Sequence, residues 1–122
     1  MNSALRHRLE LIAARVLRRL FLRTTVQEML HREQFFYDAA QYLAFNGIDG
    51  DYVEFGCHGG RTFAMAYHQF QKHGSSARLW AYDSFQGLPA PDSANDDHPV
   101  WTAGNMRTEL DEFHRLCAAR GV

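Results

Sequence analysis

Residues 51–62 read Asp-Tyr-Val-Glu-Phe-Gly-Cys-His-Gly-Gly-Arg-Thr, a short apolar run that ends in a glycine-rich turn. The apolar spacing of Phe63, Tyr67 and Phe70 then predicts a helix from about Arg61 to His73. A strand that leads through a tight turn into a helix N-terminus is how α/β proteins build small-molecule cofactor sites. This stretch therefore predicts a strand, a turn and a helix, with a ligand site at the turn.

A second strand is predicted from Arg78 to Tyr82, and it ends in the acidic residue Asp83. An acid at the tip of the neighbouring strand is placed to accept hydrogen bonds from the hydroxyl groups of a ribose. The turn and this acid together predict a site for a cofactor that contains a nucleoside.

The spacing of the turn glycines indicates which cofactor this is. A dinucleotide fingerprint needs Gly-x-Gly-x-x-Gly, because the pyrophosphate lies directly against the backbone. Here the glycines are Gly56, Gly59 and Gly60, and His58 stands where the second fingerprint glycine should be. A cofactor without phosphates, such as S-adenosylmethionine, tolerates that side chain better, and the carboxylate of Glu54 suits its cationic ends. The alternative is a purely structural glycine turn between a strand and a helix.

Two segments carry a resemblance to a known family. Residues 52–62 resemble the first cofactor motif of class I S-adenosylmethionine-dependent methyltransferases. Residues 82–89, Tyr-Asp-Ser-Phe-Gln-Gly-Leu-Pro, are similar to the Asp-Ser-Phe-Glu-Gly-Leu-Pro segment of the macrocin O-methyltransferase family, which methylates sugar hydroxyls in natural products. Residues 98–101 and Gly104 also fit a loop of that family, so that the resemblance runs from about Gly50 to Val122.

The resemblance implies a Rossmann-like α/β fold, truncated after the second strand–helix unit. Residues 1–46 would be a helical N-terminal extension, and residues 47–122 a partial S-adenosylmethionine-binding domain. Asp83 would bind the ribose, Ser84 and Phe85 would lie beside the adenosine, and the first motif would hold the methionine end. The implied cofactor-binding residues are Glu54, Gly56, Gly59, Gly60, Asp83, Ser84 and Phe85.

The implied reaction is methyl transfer to a hydroxyl of a sugar or a natural-product-like small molecule. In the family, later strands supply the acceptor pocket and the carboxylates that hold Mg²⁺, and these have no counterpart up to Val122. No catalytic residue and no metal ligand is therefore assigned, and the expectation is that this chain alone does not methylate an acceptor. The alternative is an inactive, truncated cofactor-binding or interaction module. A nicotinamide-dependent oxidoreductase is disfavoured by His58.

The first 45 residues are predicted to form two helices. The first has apolar residues at helical spacing and arginines on its other faces: Leu5, Leu9, Ile12, Val16 and Leu20. Thr25 and Glu28 are spaced like a capping box, which predicts that a second helix begins at Val26 and runs to about Ala44. Asn46 and Gly47 would end it.

Composition and charge exclude several classes of protein. The chain has 122 residues, of which 46% are hydrophobic, and a formal net charge of −1, which favours neither nucleic acid nor a membrane surface. Residues 1–23 carry six arginines and a single acid. The arginine-rich first predicted helix is interpreted as a helix that is solvated or packs on a partner. An organelle-targeting segment and a helix on a lipid surface are the alternatives. Two cysteines in an α/β pattern favour a reducing, cytoplasmic setting.

The remaining sequence predicts a long loop and a last helix. Residues 86–104 contain all three prolines and form the loop. Met106, Leu110 and Phe113 begin an apolar pattern for the last helix, with Asn105 as its cap and Gly121 at its end. The carboxylate cluster Asp92, Asp96, Asp97 with His98 is interpreted as a solvated loop, and no metal site is predicted. The unpaired sheet edges and the N-terminal helices predict self-association.

Overall fold

The computed structural model describes residues 3–92, 95–96 and 101–122. In this part of the chain the elements are α1 (Ser3–Phe45), β1 (Tyr52–Phe55), α2 (Arg61–Lys72), β2 (Leu79–Tyr82) and α3 (Leu110–Ala119). The chain divides into two compact units, residues 1–35 and residues 36–122. The second unit contains both strands, so the α/β class predicted from the sequence is confirmed.

The two strands form a parallel pair in which Tyr52 lies opposite Leu79 and Phe55 lies opposite Tyr82. Side chains alternate between the two faces of the sheet, as the strand period of two requires. Tyr52, Glu54, Leu79 and Ala81 are half-buried, whereas the opposite face is exposed. That exposed face carries the large side chains Val53, Phe55, Trp80 and Tyr82.

The buried face of the sheet packs on two small clusters. One contains Cys57, Phe63, Phe113 and Cys117, and it joins α2 to α3. The other contains Ala40, Ala66 and Phe70, and it joins the last turns of α1 to α2. Tyr52 contacts both clusters. Its ring lies edge-on to Phe70, with 5.6 Å between the centroids.

A glycine with positive φ follows each of the three described helices by two residues, as the sequence predicts for Gly47 and Gly121. Gly47, Gly74 and Gly121 have φ of 61°, 70° and 78°. In each case the following residue donates to the carbonyl five residues earlier, as in the 3.1 Å bond from the N–H of Val122 to Cys117 O. This is the Schellman motif, in which a left-handed residue satisfies the last helical carbonyls.

The prediction of two N-terminal helices is wrong, because α1 is continuous from Ser3 to Phe45. Thr24 and Thr25 do not cap a new helix. Their hydroxyl groups donate to the carbonyls of Leu20 and Phe21, each at 2.9 Å, which leaves the backbone ladder intact. A threonine can therefore lie inside a helix when the preceding turn accepts its hydroxyl.

Exposed apolar side chains characterise the unit formed by residues 1–35. Ile12, Val16 and Leu20 are each at least half exposed within it. Glu28 and Arg32 form an ion pair one turn apart on its surface. No helix in the described part of the chain is long and apolar enough to cross a membrane.

The predicted start of the last helix is also wrong, since α3 begins at Leu110 rather than near Met106. Met106 has a φ of 59°, which is incompatible with a right-handed helix. The carbonyl of Met106 and the hydroxyl of Thr108 both contact the ring of His58. The segment before α3 is therefore held against the glycine turn instead of continuing the helix.

Candidate active site

A cleft of about 570 Å³ lies at the carboxyl ends of β1 and β2. This is the edge at which parallel α/β sheets bind ligands. Its volume lies within the usual range for small-molecule sites, roughly 300–1,000 Å³. The described residues that line it are Phe55, Gly56, His58, Tyr82, Asp83, Ser84, Gly87, Leu88 and Met106. Three of the sequence-predicted site residues, Gly56, Asp83 and Ser84, are thus brought together.

Asp83 links the ends of the two strands. Its Oδ2 accepts a hydrogen bond of 2.9 Å from the N–H of His58, in the turn after β1. Its Oδ1 accepts one of 2.8 Å from the N–H of Phe85, in its own turn after β2. The carboxylate therefore fixes both turns that border the cleft.

The same contacts set the ionisation of Asp83. Partial burial acts to raise the pKa of the carboxyl group, but the hydrogen bonds from His58 and Phe85 outweigh it, so the pKa lies below its ordinary value. Asp83 is consequently an anion at neutral pH, and it has the acceptor oxygens that ribose hydroxyls require.

Glu54, predicted as a cofactor-binding residue, is half-buried and is not among the described residues that line the cleft. Its carboxylate accepts hydrogen bonds of 2.6 Å from the hydroxyls of Tyr52 and Thr62. Burial, together with the bond to Glu54, raises the pKa of Tyr52 well above its ordinary value. Glu54 therefore joins β1 to the first turn of α2.

The three turn glycines have different surroundings. Gly56 has a φ of 76°, and a Cβ there would meet no atom within 4 Å. Gly60 has a φ of 65°, and a Cβ there would lie 3.0 Å from both Cys117 Sγ and Phe113 Cε2. The open space at Gly56 suits a ligand that approaches the backbone, whereas Gly60 allows α3 to pack against α2.

Gly59 is held by the C-terminal end of α3. The guanidinium of Arg120 donates to Gly59 O at 2.7 Å. The carbonyl of Arg120 lies 2.7 Å from Nε2 of His68 on α2. Phe85 likewise packs away from the cleft, against Phe113, with 5.7 Å between the ring centroids. The predicted site residues Gly59, Gly60 and Phe85 therefore contact α3 and are not among the described residues that line the cleft.

His58 lines the cleft, although the sequence analysis used it only as an argument against a pyrophosphate. It has a φ of 43°. Nδ1 lies 2.8 Å from Met106 O and 3.0 Å from Thr108 Oγ1, so an N–H at Nδ1 donates to the Met106 carbonyl. That tautomer leaves Nε2 as the basic nitrogen. Its contacts come from residues about 50 positions away, and no local pattern predicts them.

Cys57 fills the turn as a buried thiol. Its Sγ lies 3.2 Å from Glu54 O, in the last but one residue of β1, and 3.7 Å from Tyr82 O, in the last residue of β2. Burial and the nearby Glu54 raise the pKa of Cys57 to about 11. A protonated thiol is a poor nucleophile, so this environment gives Cys57 a packing role.

This raised pKa predicts a loss of stability in alkali. An unfolded cysteine loses its proton at lower pH than folded Cys57, so the unfolded state binds fewer protons and the free energy of unfolding falls as the pH rises toward 11. Urea unfolding at about pH 8 and about pH 9.5 measures this difference. We expect the loss to shrink in Cys57→Ala, and an equal loss in that variant would contradict the assignment.

The loop after β2 is closed by a pair of backbone hydrogen bonds. Leu88 N donates to Asn105 O, and Gly104 N donates to Leu88 O, both at 2.8 Å. Ser84 Oγ accepts from the N–H of Gln86 at 3.2 Å, within the preceding turn. The two ends of the long predicted loop are thus fixed beside the cleft.

Metal ligands are not grouped in the described part of the chain, where no three His, Cys, Asp or Glu side chains converge. Asp92 and Asp96 belong to a local turn in which Asp96 Oδ2 accepts from the N–H of Asp92 at 3.0 Å. Asp97 and His98 of the predicted carboxylate cluster lie outside the described residues, as do Pro99 and Val100 of the family-like loop.

A family model described as Macrocin-O-methyltransferase (TylF) matches residues 25–116. The chain belongs to this family. The match covers about three quarters of the chain, and it begins in α1 rather than near Gly50, where the resemblance read from motifs begins. No curated protein gives a significant match to the chain. Membership supports an O-methyltransferase-like function and a small-molecule acceptor.

Proposed function

We propose that this chain binds S-adenosylmethionine in the cleft at the ends of β1 and β2, and that it serves the transfer of a methyl group to a hydroxyl of a small molecule. The observation that carries the proposal is the convergence of Gly56, Asp83 and Ser84 on one cleft at the carboxyl edge of a parallel sheet. Membership in the macrocin O-methyltransferase family supports it.

The residues of the cleft fit this cofactor. Asp83 is an anion held between two N–H groups, and its remaining acceptor capacity suits the ribose hydroxyls. The backbone at Gly56 is open on the side where a Cβ would stand, which gives room for close approach of the methionine end. Glu54, whose carboxylate accepts from the Thr62 hydroxyl at the start of α2, adds a negative charge near the turn that favours a cationic ligand.

S-adenosylmethionine supplies an electrophilic methyl group on a sulfonium centre. The acceptor hydroxyl must lose its proton as its oxygen attacks, and a group with a pKa near neutrality serves this step best. We assign proton acceptance to Nε2 of His58, because Nδ1 is engaged by Met106 and His58 is one of the residues that line the cleft. His58 would then become an imidazolium whose Nδ1–H remains bonded to the Met106 carbonyl.

Calorimetric titration of the chain tests the proposed cofactor. We expect S-adenosylhomocysteine to bind and NADH to show no binding, because His58 stands where the dinucleotide fingerprint needs a glycine for close approach of a pyrophosphate. Binding of NADH with no binding of S-adenosylhomocysteine would overturn the proposal and favour an oxidoreductase.

A further inference from the structure

The stretch of α1 from residue 13 to residue 24 separates apolar and cationic side chains onto two sides of the helix. Successive residues of an α-helix are rotated by about 100°, so side chains spaced by three and four share a side. One side carries apolar residues and a threonine: Ala13, Val16, Leu17, Leu20, Phe21 and Thr24. The other side carries four arginines: Arg15, Arg18, Arg19 and Arg23. Each set covers an arc of about 140°.

The first set, which we call the apolar face of residues 13–24, is exposed within its unit. Val16 and Leu20 are at least half exposed, and Phe21 is 72% exposed. The face ends at Thr24, because the polar Gln27 follows on the same side, and it is therefore about 18 Å long. A contiguous exposed apolar patch of this kind is typical of a surface that binds a partner.

The arginines decide what kind of partner fits. Residues 1–23 carry six arginines and one acid, although the net charge of the whole chain is −1. A fitting partner supplies negative charge beside an apolar phase. Nucleic acid supplies the charge and gives the apolar face nothing to contact. A second copy of the same helix supplies apolar contact, but it sets the arginines of both copies side by side, where they repel.

We propose that the apolar face of residues 13–24 binds the surface of an anionic lipid bilayer, with the helix lying in the plane of the interface. Amphipathic helices that bind in this way bury their apolar side by about 5–10 Å at the boundary between headgroups and acyl chains. Their basic side chains stay at the level of the headgroups, which long arginine side chains reach from the flanks of the helix. The bilayer supplies the negative charge and the apolar phase together.

Co-sedimentation of the full chain with vesicles tests the proposal. The vesicles contain phosphatidylcholine alone, or phosphatidylcholine and phosphatidylserine in equal amounts. We expect binding to the mixed vesicles to be at least about tenfold tighter at low salt, and to weaken as salt is added. Equal binding to the two kinds of vesicle, or no binding to the mixed vesicles, would overturn the proposal.

Two exposed leucines of the same helix form a matched pair of variants. Leu20 belongs to the apolar face, whereas Leu22 lies about 160° away, among the arginines. Their exposed fractions are similar, at 56% and 51%. Leu20→Gln should weaken binding to the mixed vesicles about tenfold, through loss of a buried leucine, and Leu22→Gln should change it less than about twofold. Circular dichroism checks that both variants stay helical. Equal losses in the two variants would contradict the assignment of this face.

A second pair of variants tests the charge. Arg19→Gln should weaken binding about fivefold at low salt, because each basic side chain near an anionic surface contributes about that factor. Arg115→Gln is the matched control, since it removes the same charge from α3, where Arg115 is exposed and paired with Glu112. Equal weakening in both variants would show that net charge alone decides, and it would overturn the proposal.

Sedimentation velocity without vesicles separates the bilayer from a second copy of the chain. If the apolar face pairs two copies, the chain should associate as its concentration rises, and Leu20→Gln should abolish this association. That result, together with equal vesicle binding by both leucine variants, would assign the face to a second copy and overturn the proposal. Binding of S-adenosylhomocysteine does not enter these measurements, so the proposed function is tested separately.

Discussion

Replacing Asp83 with alanine is expected to weaken S-adenosylhomocysteine binding by about ten- to a hundredfold, because a charge-assisted hydrogen bond to the ribose contributes roughly 1.5–3 kcal/mol. The structure adds a second consequence. The N–H groups of His58 and Phe85 lose their acceptor in the variant, so the two turns that border the cleft should also loosen. Calorimetric titration with S-adenosylhomocysteine measures the first effect, and urea unfolding measures the second.

Asp83→Asn separates the proposed ribose contact from the hydrogen bonds that hold the two turns. The amide keeps one oxygen acceptor for a turn N–H but loses the negative charge. The affinity for S-adenosylhomocysteine should therefore fall by more, in kcal/mol, than the free energy of unfolding does. Asp51→Ala is the matched control. Asp51 is a carboxylate just before β1, where it accepts from Trp80 Nε1 at 2.9 Å, and it is not among the described residues that line the cleft. Unchanged binding in a folded Asp83→Ala variant, or equal losses in both alanine variants, would refute the assignment.

The pH dependence of Asp83 follows from the direction of its pKa. The pKa is lower in the folded chain than in the unfolded chain, so its contribution to stability is complete above the unfolded value of 3.8. That contribution is lost as the pH falls through the lower folded pKa. Asp83→Asn should therefore flatten the acid side of the stability profile, while the alkaline loss from Cys57 stays.

The sequence predicts the strand, turn and helix units well, because their signals are local. The run from Tyr52 to Phe55 ends in glycines that a tight turn needs, and the helix ends at Gly47, Gly74 and Gly121 need only a residue that adopts positive φ. The acid after β2 is equally local, since a strand end and the residue after it are read from one short pattern.

The errors occur where a distant contact decides the conformation. The spacing of Thr25 and Glu28 predicts a helix cap, but the Thr25 hydroxyl donates to the carbonyl of Phe21 and the helix continues. The helical spacing that includes Met106 is overridden because the segment before α3 is held by the ring of His58. The same contact makes His58 part of the candidate site, so one long-range interaction accounts for a wrong helix start and for a site residue that the sequence did not predict.

Gly87 gives the largest expected effect on stability. It has a φ of 79°, and a Cβ at this position would lie 2.5 Å from Asn105 O and 2.7 Å from Gly104 O. These are backbone atoms of the segment that pairs with Leu88, so a side chain cannot be accommodated by a rotamer change. Gly87→Ala should cost about 2–5 kcal/mol, from the strained backbone and the overlap together. The free energy of unfolding in urea measures this cost.

Gly56→Ala is the matched control for this variant. Its φ of 76° is nearly the same, but a Cβ would meet nothing within 4 Å, so only the backbone strain applies. We expect a cost of about 1–2 kcal/mol for Gly56→Ala. Both variants should also weaken ligand binding in the cleft, because Gly56 and Gly87 both line it. In Gly56→Ala the added methyl group enters open space, whereas in Gly87→Ala it displaces the backbone that pairs with Leu88. If Gly87→Ala is as stable as Gly56→Ala, the close approach of Gly87 to the backbone of Gly104 and Asn105 does not contribute to stability.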